Sequence, residues 1–197
     1  MGSDGPEQEV TNEVSHERLP RAVSETAIVV VVPEAEALLE RYRRRRPDHD
    51  DPAIPAHVTV LFPFRPSVDE ADVALIGECA AAVPTFDVTF ARTAAFPVGL
   101  VYLVPDPVEP FLELTEVLAG AFPDTPPYGG LFDEVIPHLT VAADLEPAEV
   151  IALRDELVGE PPIEATVTHI ALLRHDPAEG WRAEHTWPLG PASPRLD

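Results

Sequence analysis

His57-Val58-Thr59-Val60 and its near-copy His138-Leu139-Thr140-Val141 decide how this chain is read. Each runs His, apolar, Thr, apolar. Each follows a proline-bearing approach, Ile54-Pro55-Ala56 in one case and Val135-Ile136-Pro137 in the other. The β-branched content predicts a strand at both places. Side chains alternate faces along a strand, so His57 and Thr59 share one face and Val58 and Val60 take the other. His138 and Thr140 repeat the pattern against Leu139 and Val141. Each segment therefore offers one imidazole and one hydroxyl to one side and buries the other. Set facing each other, the two would enclose a small space with two titratable rings and two hydroxyls.

Those groups suit a phosphoester. A neutral imidazole can take a proton from the attacking oxygen, and an imidazolium can give one to the leaving oxygen. The hydroxyls of Thr59 and Thr140 can donate to the non-bridging oxygens, where negative charge grows. No metal or cofactor is required. A metal held between the two histidines would need further ligands, and neither motif supplies a carboxylate at matching spacing.

The surrounding pattern is a repeat. Thr26 to Val32 is a continuous apolar run, read as a buried strand. Pro33 to about Arg45 reads as a helix with Leu38, Leu39 and Tyr42 inward, ending in Arg43-Arg44-Arg45-Arg46. That run is a solvated helix end or an anion-attracting rim. A loop with Asp48, His49, Asp50 and Asp51 leads to the first motif. Ser67-Val-Asp-Glu70 reads as a capping box opening a helix to about Val83, with Cys79 as core filler. Extended runs follow at Phe86 to Phe96 and Leu100 to Val104, separated by Pro97-Val98-Gly99. A helix from Pro110 to Gly120 and a loop with Tyr128-Gly129-Gly130 precede the second motif. Then come a helix from Pro147 to Gly159, an extended run from Ile163 to Arg174 and a last strand from Trp181 to Leu189. Each half thus runs helix, His strand, helix, long strand, turn, strand, with the motifs 81 residues apart (57 to 138). The pattern predicts an α+β, duplicated two-lobed fold: two antiparallel-rich sheets facing a central groove, with helices outside. Residues 25–190 form that single bilobal unit, between a disordered N-terminal tail, 1–24, and a C-terminal tail, 191–197.

Composition narrows the partners. The 197 residues carry a net charge of -22. A protein gripping long nucleic acid normally shows a basic stripe, so a small phosphorylated nucleotide or an RNA end is expected, and a long duplex is not. A single cysteine excludes an internal disulfide framework and fits a reducing compartment. No apolar run approaches a membrane span and no signal core is present. The expectation is a cytoplasmic monomer with no membrane contact. His16, His49, His169, His175 and His185 have no repeat partner and read as structural or exposed. Phe64, Tyr102, Tyr128 and Trp181 are candidates for a base-stacking platform, with core packing as the commoner role.

Two His-x-Thr-x motifs about eighty residues apart in a duplicated α+β chain resemble the 2H phosphoesterase superfamily. Pro55 to Phe64, Pro-Ala-His-Val-Thr-Val-Leu-Phe-Pro-Phe, is similar in context to its bacterial 2′-5′ RNA ligase branch, and Pro137 to Val141 matches the second motif. The resemblance spans roughly Thr26 to Leu189. It implies metal-independent cleavage or transfer at a phosphodiester, such as a 2′,3′-cyclic phosphate or a 2′-5′ linkage. It also implies that His57 and His138 share the acid and base roles and that Thr59 and Thr140 hold the phosphate. Some RNA-processing members carry an Arg three residues after the second Thr; here that position is Ala143. Arg65 is the candidate phosphate clamp in its place, and Tyr128 a further substrate contact. The alternatives are a nucleotide- or RNA-binding module that catalyses little, and an RNA 2′-5′ ligase.

Overall fold

The structure, a computed structural model, describes residues 25–44, 54–177 and 179–192. The expectations for the 1–24 tail with His16, for Arg45 and Arg46, for the Asp48–Asp51 loop with His49, and for residues 193–197 lie outside the described residues.

Eight strands and four helices are formed among the described residues. The strands are β1 (Thr26–Val31), β2 (His57–Leu61), β3 (Phe86–Phe96), β4 (Leu100–Asp106), β5 (Leu139–Ala142), β6 (Ile163–Val167), β7 (His169–Asp176) and β8 (Gly180–Pro188). The helices are α1 (Glu36–Arg43), α2 (Glu70–Ala82), α3 (Glu109–Ala121) and α4 (Pro147–Leu157). Thr168 divides the expected run from Ile163 to Arg174 into β6 and β7, which belong to different parts of the sheet. The helix expected to open at Ser67 starts two residues later. Asp69 is its N-cap, bonded to the backbone N–H of Asp72, while the Asp72 carboxylate returns to the Asp69 N–H. The reciprocal box exists, built from two aspartates rather than from Ser67 and Glu70.

All strand pairs in the sheet are antiparallel, in the order β6-β3-β4-β5-β2-β1-β7-β8. The α+β class and the outer helices agree with the expectation. The two separate sheets do not: β2 and β5 pair edge to edge, so the halves form one continuous sheet. The repeat survives inside it. β2-β1-β7-β8 and β5-β4-β3-β6 are equivalent sets of four, related by a pseudo-twofold between β2 and β5. The halves also exchange helices, since α1 packs on β5 and α3 on β2.

The period-2 patterning sorts the two faces. Ile28, Val30, Val58, Val60, Val101, Leu103, Leu139 and Val141 join the inward sides of all four helices in one core. Val58 and Leu139 are wholly buried, each worth about 1.5–3 kcal/mol of burial. That burial fixes the register, because a slip of one residue would carry both histidines into the core. Thr115 of α3 ties a helix to this face through the Val60 carbonyl at 3.2 Å. The opposite face carries the polar halves of both motifs.

Candidate active site

β2 and β5 bring the motifs together side by side. Val58 is paired with Leu139. An antiparallel register keeps its offset along the pair, which sets His57 across from Thr140 and Thr59 across from His138. Directly opposed residues stand about 4.5–5.5 Å apart at Cβ. The four side chains therefore form a compact square on the open face, at the midline of the sheet.

Each imidazole is oriented by its own strand. His57 Nδ1 lies 2.7 Å from the Pro55 carbonyl, and His138 Nδ1 lies 2.7 Å from the Ile136 carbonyl. A carbonyl only accepts, so the ring nitrogen facing it carries the proton. Both rings thus hold Nδ1–H against the backbone two residues upstream and leave Nε2 free. The approach to the first motif is pinned as well. The Ala56 N–H donates to Glu36 at 2.7 Å, and the Ala56 carbonyl accepts from the Val32 N–H at 2.8 Å.

The environment favours neutral rings. Burial lowers the His57 pKa, the Pro55 bond opposes this, and the fields of His138 and Arg43 lower it further against Glu36. Burial also lowers the His138 pKa, with the Ile136 bond opposing. The field of His138 at His57 means that a charge on one ring disfavours a charge on the other.

Tyr128 belongs to this cluster. Its short 3-10 turn, Pro127–Gly130, is held by a Tyr128 N–H bond to the Phe62 carbonyl, just past β2. Its backbone is left-handed, at φ 53 and ψ 30, which costs a residue with a Cβ about 1–2 kcal/mol. The Tyr128 hydroxyl is buried beside Thr59 without a hydrogen bond of ordinary geometry. Burial raises its pKa, and a hydrogen-bonding contact with Thr59 opposes this, so the hydroxyl keeps its proton and can donate.

Arg65 does not fit a phosphate clamp. One edge of its guanidinium pairs with Asp72, and a terminal nitrogen meets both Asp124 oxygens at 2.8 and 2.9 Å. It also lies over the Phe122 ring, 5.0 Å from the centroid. Arg65 joins the α2 N-terminus to the loop after α3, and its charge is already neutralised. Arg43 is similarly engaged, by Glu36 at 2.6 Å and the Ile54 carbonyl, and Arg44 pairs with Glu40.

The aromatic candidates separate by face. Phe64 is core, edge-on to Phe122. Trp181 packs against His175 and Phe62. Tyr102 reaches the site: it pairs with Thr140, and its ring centroid is 5.3 Å from that of His138. Phe96, absent from the sequence candidates, stacks on Tyr102 at 4.5 Å and meets His138 edge-on at 5.1 Å. Its only sequence signal is its place at the end of a run closed by Pro97-Val98-Gly99. Among the described residues no three His, Cys, Asp or Glu side chains converge as metal ligands. Among them, too, no helix is long and apolar enough to cross a membrane.

Residues 31–179 match the family model of the 2′-5′ RNA ligase superfamily. Several solved structures share the fold. TT0787 of Thermus thermophilus superposes with a TM-score of 0.58 at 22% identity, over 85% of this chain and 98% of that one. E. coli LigT in its apo form gives 0.57 at 18% identity, over 86% and 99%. E. coli LigT complexed with 3′-AMP gives 0.55 at 18% identity, over 84% and 97%. No curated protein matches the chain significantly. The chain belongs to the 2′-5′ RNA ligase superfamily.

Proposed function

We propose that this member of the 2′-5′ RNA ligase superfamily is a metal-independent phosphodiesterase, and that His57 and His138 open a 2′,3′-cyclic phosphate or a 2′-5′ phosphodiester by acid–base catalysis. One observation carries the reading: two imidazoles on adjacent strands, each with Nδ1 bonded to its own backbone and Nε2 free. A neutral Nε2 takes a proton from water as the water oxygen bonds to phosphorus. The other ring, as imidazolium, gives its proton to the ribose oxygen as the bond from phosphorus to that oxygen breaks. Water is added across one P–O bond, leaving a monoester and a free hydroxyl, and solvent exchange resets the two rings. Thr59, Thr140 and Tyr128 donate to the non-bridging oxygens, where each donor counts most as charge develops.

The substrate class is a small phosphorylated nucleotide or a nucleic-acid end. The acidity of the chain favours it over a long duplex, and E. coli LigT, which shares the fold, is known in complexes with 3′-AMP, ATP and NADP+. The test is hydrolysis of 2′,3′-cyclic nucleotides and 2′-5′ dinucleotides in EDTA, by the wild type, His57→Ala and His138→Ala. Turnover in EDTA that is lost in both variants supports the mechanism. Turnover that survives both removes it, and nucleotide binding without turnover favours a binding module.

A further inference from the structure

We infer that Arg92 is a second anion contact, which binds a phosphate other than the one being cleaved and so selects substrates that carry one. The inference rests on the phosphodiesterase reading above and adds the class of substrate.

Arg92 stands on β3 opposite Val104 of β4. The β4–β5 register through Leu103 and Leu139, continued by one residue, sets Val104 beside His138. The faces agree with this line. Thr93 and Ala95 lie opposite Leu103 and Val101, which are in the helix-side core. Arg92, Ala94 and Phe96 therefore point to the open face, with His138 and Thr140. Arg92 is exposed there.

Its charge is uncommitted, which is unusual in this protein. Among the described residues Arg41, Arg43, Arg44, Arg65, Arg174 and Arg182 each pair with a carboxylate. Arg92 and Arg154 do not, and Arg154 lies on α4, over the opposite face. In a chain of net charge -22, Arg92 is the uncommitted described arginine on the catalytic face.

Distance separates the two possible phosphates. At about 4.8 Å per strand, the Arg92 backbone is about 12 Å from the midline where the His–Thr square would hold phosphorus. An extended arginine side chain covers about half of that. The guanidinium then ends short of the reacting phosphate, near where the next phosphate of a nucleotide or oligonucleotide end would lie. Its planar fork suits two phosphate oxygens. Phe96, further along β3 on the same face with its ring 5.1 Å from that of His138, offers an apolar surface to the nucleoside.

Calorimetry with adenosine 3′-monophosphate and adenosine 3′,5′-bisphosphate tests this without depending on turnover. The wild type is expected to bind the bisphosphate at least tenfold more tightly at fixed ionic strength. Arg92→Ala should abolish that margin and leave the monophosphate within twofold, and Arg92→Lys should restore part of it. His169→Ala, at the equivalent position of the other half, should keep the margin. In turnover, Arg92→Ala should raise KM only for a cyclic nucleotide bearing a 5′-phosphate. Equal losses for both ligands would put Arg92 at the reacting phosphate, and an unchanged margin would remove it from the site; either overturns the inference. A margin that depends on Arg92 in a protein that hydrolyses nothing would keep the inference and end the phosphodiesterase reading.

Discussion

Two rows of residues run outward from the midline of the sheet, one in each half, and the pseudo-twofold lays them on each other. In one, His57 is followed by Val31 on β1 and, with the β1–β7 register continued, by His169 on β7. In the other, His138 is followed by Val104 and then Arg92. The hydroxyl rows compare likewise: Thr59, Val29 and Ala171 against Thr140, Tyr102 and Ala94. What is repeated is the chemistry at the centre, with the same tautomer fixed by the same backbone bond. What has diverged lies one and two strands out. On the β1 side, Ala27, Val29, Ala171 and Leu173 form a second small core, packed by Ile54, Phe62 and Trp181. On the β4 side there are an aromatic pair and an unpaired arginine. In the mechanism proposed above, bond making would use the symmetric part and substrate choice the asymmetric part.

The largest effect should come from breaking the symmetric centre. His57→Ala and His138→Ala should each lower kcat by about 10²–10⁴-fold, and the double variant should be little worse than either, as measured by single-substrate turnover. A strongly additive double variant would show that the rings do not act as a pair. Thr59→Val and Thr140→Val come next, each with a loss of about 10- to 100-fold in kcat/KM. Similar losses would uphold the equivalence of the two hydroxyls, and a loss confined to one would break it.

Tyr128→Phe should lower kcat/KM by about tenfold while leaving the melting temperature unchanged or higher, since a buried donor without an ordinary bond costs about 1–3 kcal/mol in the free protein. A clear drop in melting temperature would mean that the hydroxyl is bonded in solution.

pH should sharpen the comparison more gently. Both histidine pKa values lie below the ordinary value of about 6.5. The unfolded chain therefore binds more protons than the folded one between the depressed values and about 6.5. The stability these rings contribute is present above about 6.5 and is lost as pH falls through the folded values. Denaturant midpoints measured from pH 7 to 5 should fall, and should fall less in His57→Gln. The smallest change expected is for Arg65→Ala, which should cost about 1 kcal/mol of stability and leave KM unaltered. A rise in KM would return Arg65 to the substrate.

Much of the fold was legible because burial is periodic. The strand character of both motifs, the repeat, the helices with Leu38, Leu114 and Leu153 inward, and the Pro97-Val98-Gly99 turn all follow from local pattern. So does the pairing of each His with its Thr on one face. Arg65 was misread because proximity in sequence to the first motif says nothing about Asp124, 59 residues away, which takes its charge. Arg92 was passed over for the converse reason: nothing local distinguishes it, and only the pairing of β3 with β4 and of β4 with β5 carries it to the face of His138.

The chain by itself determined which side chains could share a face, since alternation along a strand is a property of the backbone and needs no partner. It could not determine which strands would lie side by side. That was decided when the apolar sides of β2 and β5 found one common core and pairing satisfied their backbone hydrogen bonds. The outcome was one sheet in place of two, with the histidines as lateral neighbours and not opponents across a groove.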